Sequence, residues 1–167
     1  MAVPTPEVAE RIRAKKHRYG RYLDTRQWDE LAQVALPNAQ ITIFDPSGAI
    51  SRVGSTDMAF GSIKDFAHFC SRIFAGMQTL HMFGQGELEQ TARDEVKAIW
   101  SMEDQIISTQ LWGGIELRGG GFYHEKWRLV EGDWFLAELR LERTYLKYSL
   151  LARAIFFLAK LFRFKAE

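Results

Sequence analysis

The sequence predicts an α+β domain, with N-terminal helices packed on one strongly curved, mostly antiparallel sheet. Three observations carry that prediction. Apolar residues recur at three-and-four spacing in two early stretches: Val8, Ile12, Tyr19 and Leu23, then Ile63, Phe66, Ala67, Cys70, Ile73, Phe74 and Met77. From Thr79 to Thr144 the pattern becomes strand-like, broken by turns at Ala92-Arg93-Asp94, Gly113-Gly114 and Glu131-Gly132-Asp133. The last three strand segments are long and consecutive, so an antiparallel meander is the natural topology. A strongly bent sheet wrapped against helices encloses a cone-shaped cavity.

The elements follow in order. Thr5 caps the first helix, Pro6 takes its first position and Glu7 puts acid in its first turn. Glu10, Arg11, Arg13, Lys15 and Arg18 lie mostly off its apolar stripe. Asp24 and Thr25 interrupt it and can cap a short second helix carrying Trp28, Leu31, Ala32 and Ala35, which Pro37 and Asn38 end. Ala39 to Phe44 alternates as a strand, and Asp45-Pro46-Ser47-Gly48 is a turn. Residues 49–61 are poorly patterned and read as edge structure or loop. Ser62 begins the clear amphipathic helix, and strands are expected at 79–89, 95–111, 117–130 and 133–143. The domain so read spans residues 5–144.

Residues 145–167 read as an amphipathic C-terminal helix. A broad apolar face (Leu150, Leu151, Ile155, Phe156, Phe157, Leu158, Leu161, Phe162) opposes a narrow strip with Arg153, Lys160 and Arg163. The segment carries a net charge of +4. Such a face suits packing over the open end of the sheet, a subunit contact, or peripheral attachment to a membrane surface.

Size and composition bound the function. A chain of 167 residues with 47% hydrophobic and 13% aromatic content is one domain with a full-sized core. Its rings either fill that core or line a pocket for a flat, greasy ligand. A net charge of +1 gives no electrostatic case for nucleic acid. The single cysteine, Cys70, cannot form an internal disulfide and reads as a small core residue. Met1 to Arg13 has no apolar run of signal-peptide length, and nothing approaches the roughly 18 apolar residues of a membrane span. A cytoplasmic protein is expected.

The chemistry lies in polar residues on apolar registers. Asp104 shares a strand face with Val96, Ala98, Trp100, Met102 and Ile106. A carboxylate so placed must find hydrogen bonds or a counter-charge, in a functional site or a structural ion pair. Arg143 follows Phe135, Ala137, Leu139 and Leu141 on one register, where it either anchors an anionic group or emerges into solvent. His81 lies in a strand early enough to neighbour that of Asp104, as a general base or a satisfied core histidine. Tyr19, on the first helix's buried stripe, is core filler or a proton donor. Asp24 stands at that helix's end, where it can be a cap. Metal ligation lacks any local ligand spacing, and Gly119-Gly120-Gly121 precedes a strand rather than a phosphate-binding helix.

The stretch from Tyr19-Gly20-Arg21-Tyr22-Leu23-Asp24 to Trp28-Asp29-Glu30-Leu31 resembles the opening motif of SnoaL-like domains in the nuclear transport factor 2-like superfamily. Leu80-His81-Met82 is similar to their histidine motif, and Trp100 to Asp104 to their central acidic strand. Gly120-Gly121-Phe122-Tyr123 and Glu131-Gly132-Asp133-Trp134 resemble their closing hairpin. Within the superfamily the likeness runs to bile acid 7α-dehydratases and, more distantly, scytalone dehydratases. It implies a cone-shaped α+β barrel, a homo-oligomer of dimer or trimer size, no metal or organic cofactor, and a small apolar ring-containing substrate. The catalytic set it implies is Tyr19, Asp24, His81, Asp104 and Arg143.

The reading that follows is a hydro-lyase removing water from a hydroxylated, ketone-bearing ring compound, steroid-like or polycyclic. The alternatives are a ketosteroid-type isomerase, a polyketide cyclase, or a non-catalytic binding or assembly module. His81 is expected to act as acid and base, with Asp104 holding its tautomer and Tyr19 donating to a substrate oxygen. Asp24 and Arg143 are expected to pair with each other, or Arg143 to meet a charged substrate tail. Phe83, Trp100, Met102, Tyr123 and Trp127 are expected to shape the pocket.

Overall fold

In the computed structural model, which describes residues 2–110 and 114–154, the chain opens with α1 (Pro6–Asp24). Thr5 caps this helix, its side-chain oxygen accepting from the Val8 N–H at 3.4 Å. Ile12, Tyr19 and Leu23 are buried as the stripe requires, but so are Lys15 and Lys16. The expected second helix is a 3-10 turn over Asp29–Gln33. β1 (Ala35–Phe44) then begins before Pro37 rather than after it. It runs parallel to β9 (Asp133–Tyr148), with Ala35 opposite Leu136 and Gln40 opposite Glu138. Pro37 falls between those positions, where the ladder is already interrupted and a missing N–H costs least.

The poorly patterned stretch holds three two-residue strands, β2 (Arg52–Val53), β3 (Thr56–Asp57) and β4 (Ala59–Phe60). α2 (Ile63–Ile73) starts at its Ser62 cap, whose hydroxyl accepts from the Asp65 N–H at 3.0 Å. Cys70 is buried on this helix, and burial pushes its thiol up to about 12, so it behaves as a small apolar residue. The segment expected at 79–89 is two strands, β5 (Met77–Phe83) and β6 (Glu87–Ala92), both paired with β7 (Glu95–Ser108). Between them Gly86 has φ +78, and a Cβ there would fall 2.2 Å from the Trp100 ring. β8 (Glu116–Val130) joins β9 through Glu131 (φ 49) and Gly132 (φ 84), the two positive values a tight hairpin turn requires.

The main sheet has the order β4-β1-β9-β8-β7-β5, with β6 also on β7, and β1–β9 is its parallel pair. β4 and β5 end that order without pairing with each other, so the sheet is curved and open, not closed into a barrel. α1 packs against β5 and β9, and α2 against β1. The core fills the space between the helices and the sheet's inner face.

Two irregularities in β9 alter the expected register. The pairing skips Ala137, so Trp134 and Leu136 are buried instead of Phe135 and Ala137. It skips again at Thr144, between Gly121↔Arg143 and Gly120↔Tyr145. The strand continues to Tyr148 because Tyr145 to Tyr148 pair with Leu117 to Gly120, so no helix begins at residue 145. Helical residues are described from Leu150 to Ala154; residues 155–167, with most of the proposed amphipathic face, lie outside the described part. Among the described residues no helix is long and apolar enough to cross a membrane.

Candidate active site

Strand pairing stacks the inward side chains into rungs. His81, Asp104 and Gly119 share one; Met102, Gly121 and Arg143 the next; then Trp100, Tyr123 and Leu141. Ala98, Glu125 and Leu139 follow, and Val96 and Trp127 lie deepest in this series.

His81 meets Asp24. The His81 Nδ1 lies 2.6 Å from Asp24 Oδ1, and the His81 backbone N–H donates to Asp24 Oδ2 at 2.9 Å. The Thr79 hydroxyl adds a bond to Asp24 Oδ1 at 2.8 Å. Thr79 and His81 project together because they are two apart on β5. Asp24 is the last residue of α1, where the helix dipole disfavours a carboxylate, and Thr25 is the C-cap. Its position therefore serves β5 rather than its own helix. Burial alone would raise the Asp24 carboxyl, but the bonds from His81 and Thr79 outweigh it and hold the group below its ordinary value. The imidazole is almost sealed at 5% side-chain exposure and rests beside the Phe74 ring.

Asp104 meets Arg143. The guanidinium donates through Nη1 to Oδ1 at 3.0 Å and through Nη2 to Oδ2 at 2.5 Å, a two-pronged pair. Gly119 makes room for it: a Cβ there would lie 1.9 Å from Arg143 Nη1 and 2.9 Å from Asp104 Oδ1. Burial disfavours the Arg143 charge, but the Asp104 contact more than restores it. The expected pairing is thus exchanged. Asp104 stands directly across from His81 in the ladder, yet its carboxylate goes to Arg143, and Asp24 takes the imidazole.

Tyr19 and Tyr123 are both buried, with ring centroids 6.4 Å apart in an edge arrangement. Burial is the main reason both phenols are held well above their ordinary values, so they remain proton donors. Phe83 packs on Tyr123 at 5.7 Å. Met102 and Trp100 are buried on the neighbouring rungs, while Trp127 lies deeper.

Beneath the tyrosines is an ion pair. Lys16 Nζ lies 2.5 Å from Glu125 Oε1, and the side chains are 1% and 0% exposed. Glu125 Oε2 accepts from the Trp100 indole at 2.6 Å and the Trp127 indole at 2.9 Å. The ammonium sits 3.6 Å from the Tyr123 ring centre, 4.4 Å from Phe83 and 4.7 Å from Tyr19.

A model of the SnoaL-like domain matches residues 6–140 of the chain. The chain belongs to the SnoaL-like domain family. Its relatives include the Probable cyclase FGR4 of Gibberella zeae, 40% identical over 147 residues, which are 88% of this chain and 97% of the relative. Among solved structures, the Kfla4162 protein from Kribbella flavida aligns with TM-score 0.74 at 16% identity, covering 90% of this chain and 99% of that one. A scytalone dehydratase-like protein from Novosphingobium aromaticivorans aligns at 0.68 and 14% identity, over 83% and 85% of the two chains. The hexachlorocyclohexane dehydrochlorinase LinA-type3 from Novosphingobium barchaimii aligns at 0.65 and 13%, over 86% and 89%. Each of these three shares the fold.

In this SnoaL-like domain the residues absent from the sequence reading are Thr79 as a partner of Asp24, Gly119 as the space for Arg143, and the Lys16–Glu125 pair. A signal existed for the last. Lys16 is four residues after Ile12 and three before Tyr19, on the buried stripe. Glu125 alternates with Tyr123 and Trp127 as Asp104 does with Met102 and Ile106.

Proposed function

We propose that this SnoaL-like domain is a cofactor-independent enzyme that dehydrates a hydroxylated, ketone-bearing ring compound. The observation that supports the reading is an Asp24–His81 pair turned inward beside Asp104–Arg143 and a buried phenol pair. With Nδ1 turned to Asp24, the imidazole offers Nε2 to a substrate proton. The acidic proton is the one on carbon beside the carbonyl. His81 takes it, the electrons move into an enolate, and a tyrosine hydroxyl donates to the enolate oxygen as charge develops. The β-carbon–oxygen bond then breaks, and the imidazolium returns its proton to the departing hydroxide. One water leaves and the imidazole is restored. The Asp104–Arg143 pair neutralises its own charge and leaves Asp24 as the carboxylate facing His81. A small apolar ring compound suits walls made of Phe83, Trp100, Met102 and Tyr123.

A cyclisation is the second reading, favoured by the relative named a probable cyclase. The same enolate would attack a second carbonyl carbon to form a carbon–carbon bond; that carbonyl's π electrons pass to its oxygen, which takes the proton back from the imidazolium. The test incubates the purified protein in D2O with polycyclic β-hydroxyketones and open-chain polyketones, followed by mass spectrometry. Dehydration predicts loss of one water with no new ring, abolished in His81→Ala. A new ring from the open-chain substrates selects cyclisation. No deuterium exchange beside the carbonyl and no conversion of any substrate overturns both, leaving a binding module.

A further inference from the structure

Lys16 and Glu125 have no obvious place in a hydrophobic floor. Desolvating two charges costs more than an apolar pair of similar volume would, so stability does not explain their burial. What the pair provides is direction. Glu125 takes Lys16 on one oxygen and both indole N–H groups on the other. Lys16 spends its remaining surface on the faces of Tyr19, Phe83 and Tyr123. Five rings thereby take their orientation from one ion pair. Two of them, Tyr19 and Tyr123, are phenols that pack edge to face. Each brings one donor proton.

We propose that Lys16 and Glu125 are positioning residues that hold the Tyr19 and Tyr123 rings in register, making Tyr123 as well as Tyr19 a donor to the substrate oxygen. The proposal rests on the enolate reading above for what that donor does, and on contacts alone for how it is held. Lys16 over the Tyr123 face fixes the plane of that ring, and Phe83 packs against it at 5.7 Å. Tyr19, fixed by α1 and stacked on Phe66 at 6.4 Å, then meets the Tyr123 ring edge-on. A loose pair would have to be ordered at each turnover.

The experiment compares the full chain with Lys16→Met/Glu125→Gln, which removes both charges and keeps an acceptor for the indoles. Tyrosine labelled with carbon-13 at Cζ reports each phenol by NMR, with Tyr19→Phe and Tyr123→Phe assigning the two signals. Binding of 2-naphthol, a phenolic ring probe, is measured by fluorescence. In the double variant both signals should move from their wild-type positions, and naphthol affinity should fall about tenfold, as misplacement of a donor entails. Tryptophan near-UV circular dichroism should stay native. Unchanged tyrosine signals in a folded double variant overturn the proposal. If that variant does not fold, Glu125→Gln alone is read by the same signals and the same criterion. Failure of the wild-type protein to bind 2-naphthol counts against the ring-compound reading, while the NMR comparison still decides the positioning role.

Discussion

The inner face of the sheet carries two buried carboxylates, Asp104 on β7 and Glu125 on β8, and they are used differently. Asp104 is matched by one two-pronged partner, Arg143, whose side chain keeps 10% exposure near His81. Glu125 is matched by three donors, an ammonium and two indoles, with no exposure at all. In the proposed reaction the upper rungs meet the substrate and exchange a proton, while the lower ones fix the rings around them. Burial alone does not separate the two carboxylates; their partners do.

The sharpest break of this contrast is Glu125→Ala. It leaves the Lys16 charge and two indole N–H groups without an acceptor in a sealed core, a loss of about 3–5 kcal/mol in a urea melt. His81→Ala is the opposite case. It should lower turnover by about 10²–10⁴-fold, since one general acid–base group contributes about that much. Its stability cost should be smaller, about 1–2 kcal/mol, for the lost imidazole bond to Asp24. A large rate loss in a fully stable Lys16→Met/Glu125→Gln variant would narrow the difference between floor and upper rungs. Large destabilisation by His81→Ala would narrow it from the other side.

A smaller effect is expected at Gly119→Ala. The new Cβ would occupy the space of Arg143 Nη1, so the pair with Asp104 must shift and stability should fall by about 1–3 kcal/mol. If the freed Asp104 then reaches His81, its Cα partner across the ladder, the histidine acquires a second carboxylate and its ring NMR signals should move. Unaltered ring signals would show that Asp24 remains its one carboxylate partner.

These contrasts also show what could be read from the chain and what could not. Asp104 was legible because its strand neighbours Trp100, Met102 and Ile106 are apolar, which makes one acid conspicuous. Glu125 obeys the same alternation between Tyr123 and Trp127, so it was equally legible. What the chain hides is its partner, because Lys16 follows Lys15 in a charged stretch and looks solvated. α1, α2 and the meander followed from periodicity, and both ends of α1 from its capping residues. Bulges at Ala137 and Thr144 did not, because an extra residue in a ladder leaves no mark in composition. Nor did the partner exchange. Alternation places His81 and Asp104 on one face, but the pairing depends on α1 ending over β5 and on the missing side chain at Gly119.

The least disruptive probe is the Thr79 hydroxyl, one of the three bonds to Asp24. Thr79→Val keeps the shape and removes one donor, which should cost about 1 kcal/mol. It should also act on the acid limb of stability. The Asp24 carboxyl is held below its ordinary value in the folded state, so between the two values the unfolded chain binds more protons than the folded one. Its contribution is therefore fully present above the usual carboxylate range, about pH 4, and is lost as pH falls through the folded value. Removing the Thr79 bond lets the folded value rise towards the unfolded one. The variant's stability should thus depend less steeply on pH below about pH 4 than the wild type's does. Urea melts between neutral pH and the acid limb would read that slope directly. Parallel curves would mean that His81 alone sets the Asp24 charge, and that the threonine contributes only its neutral bond.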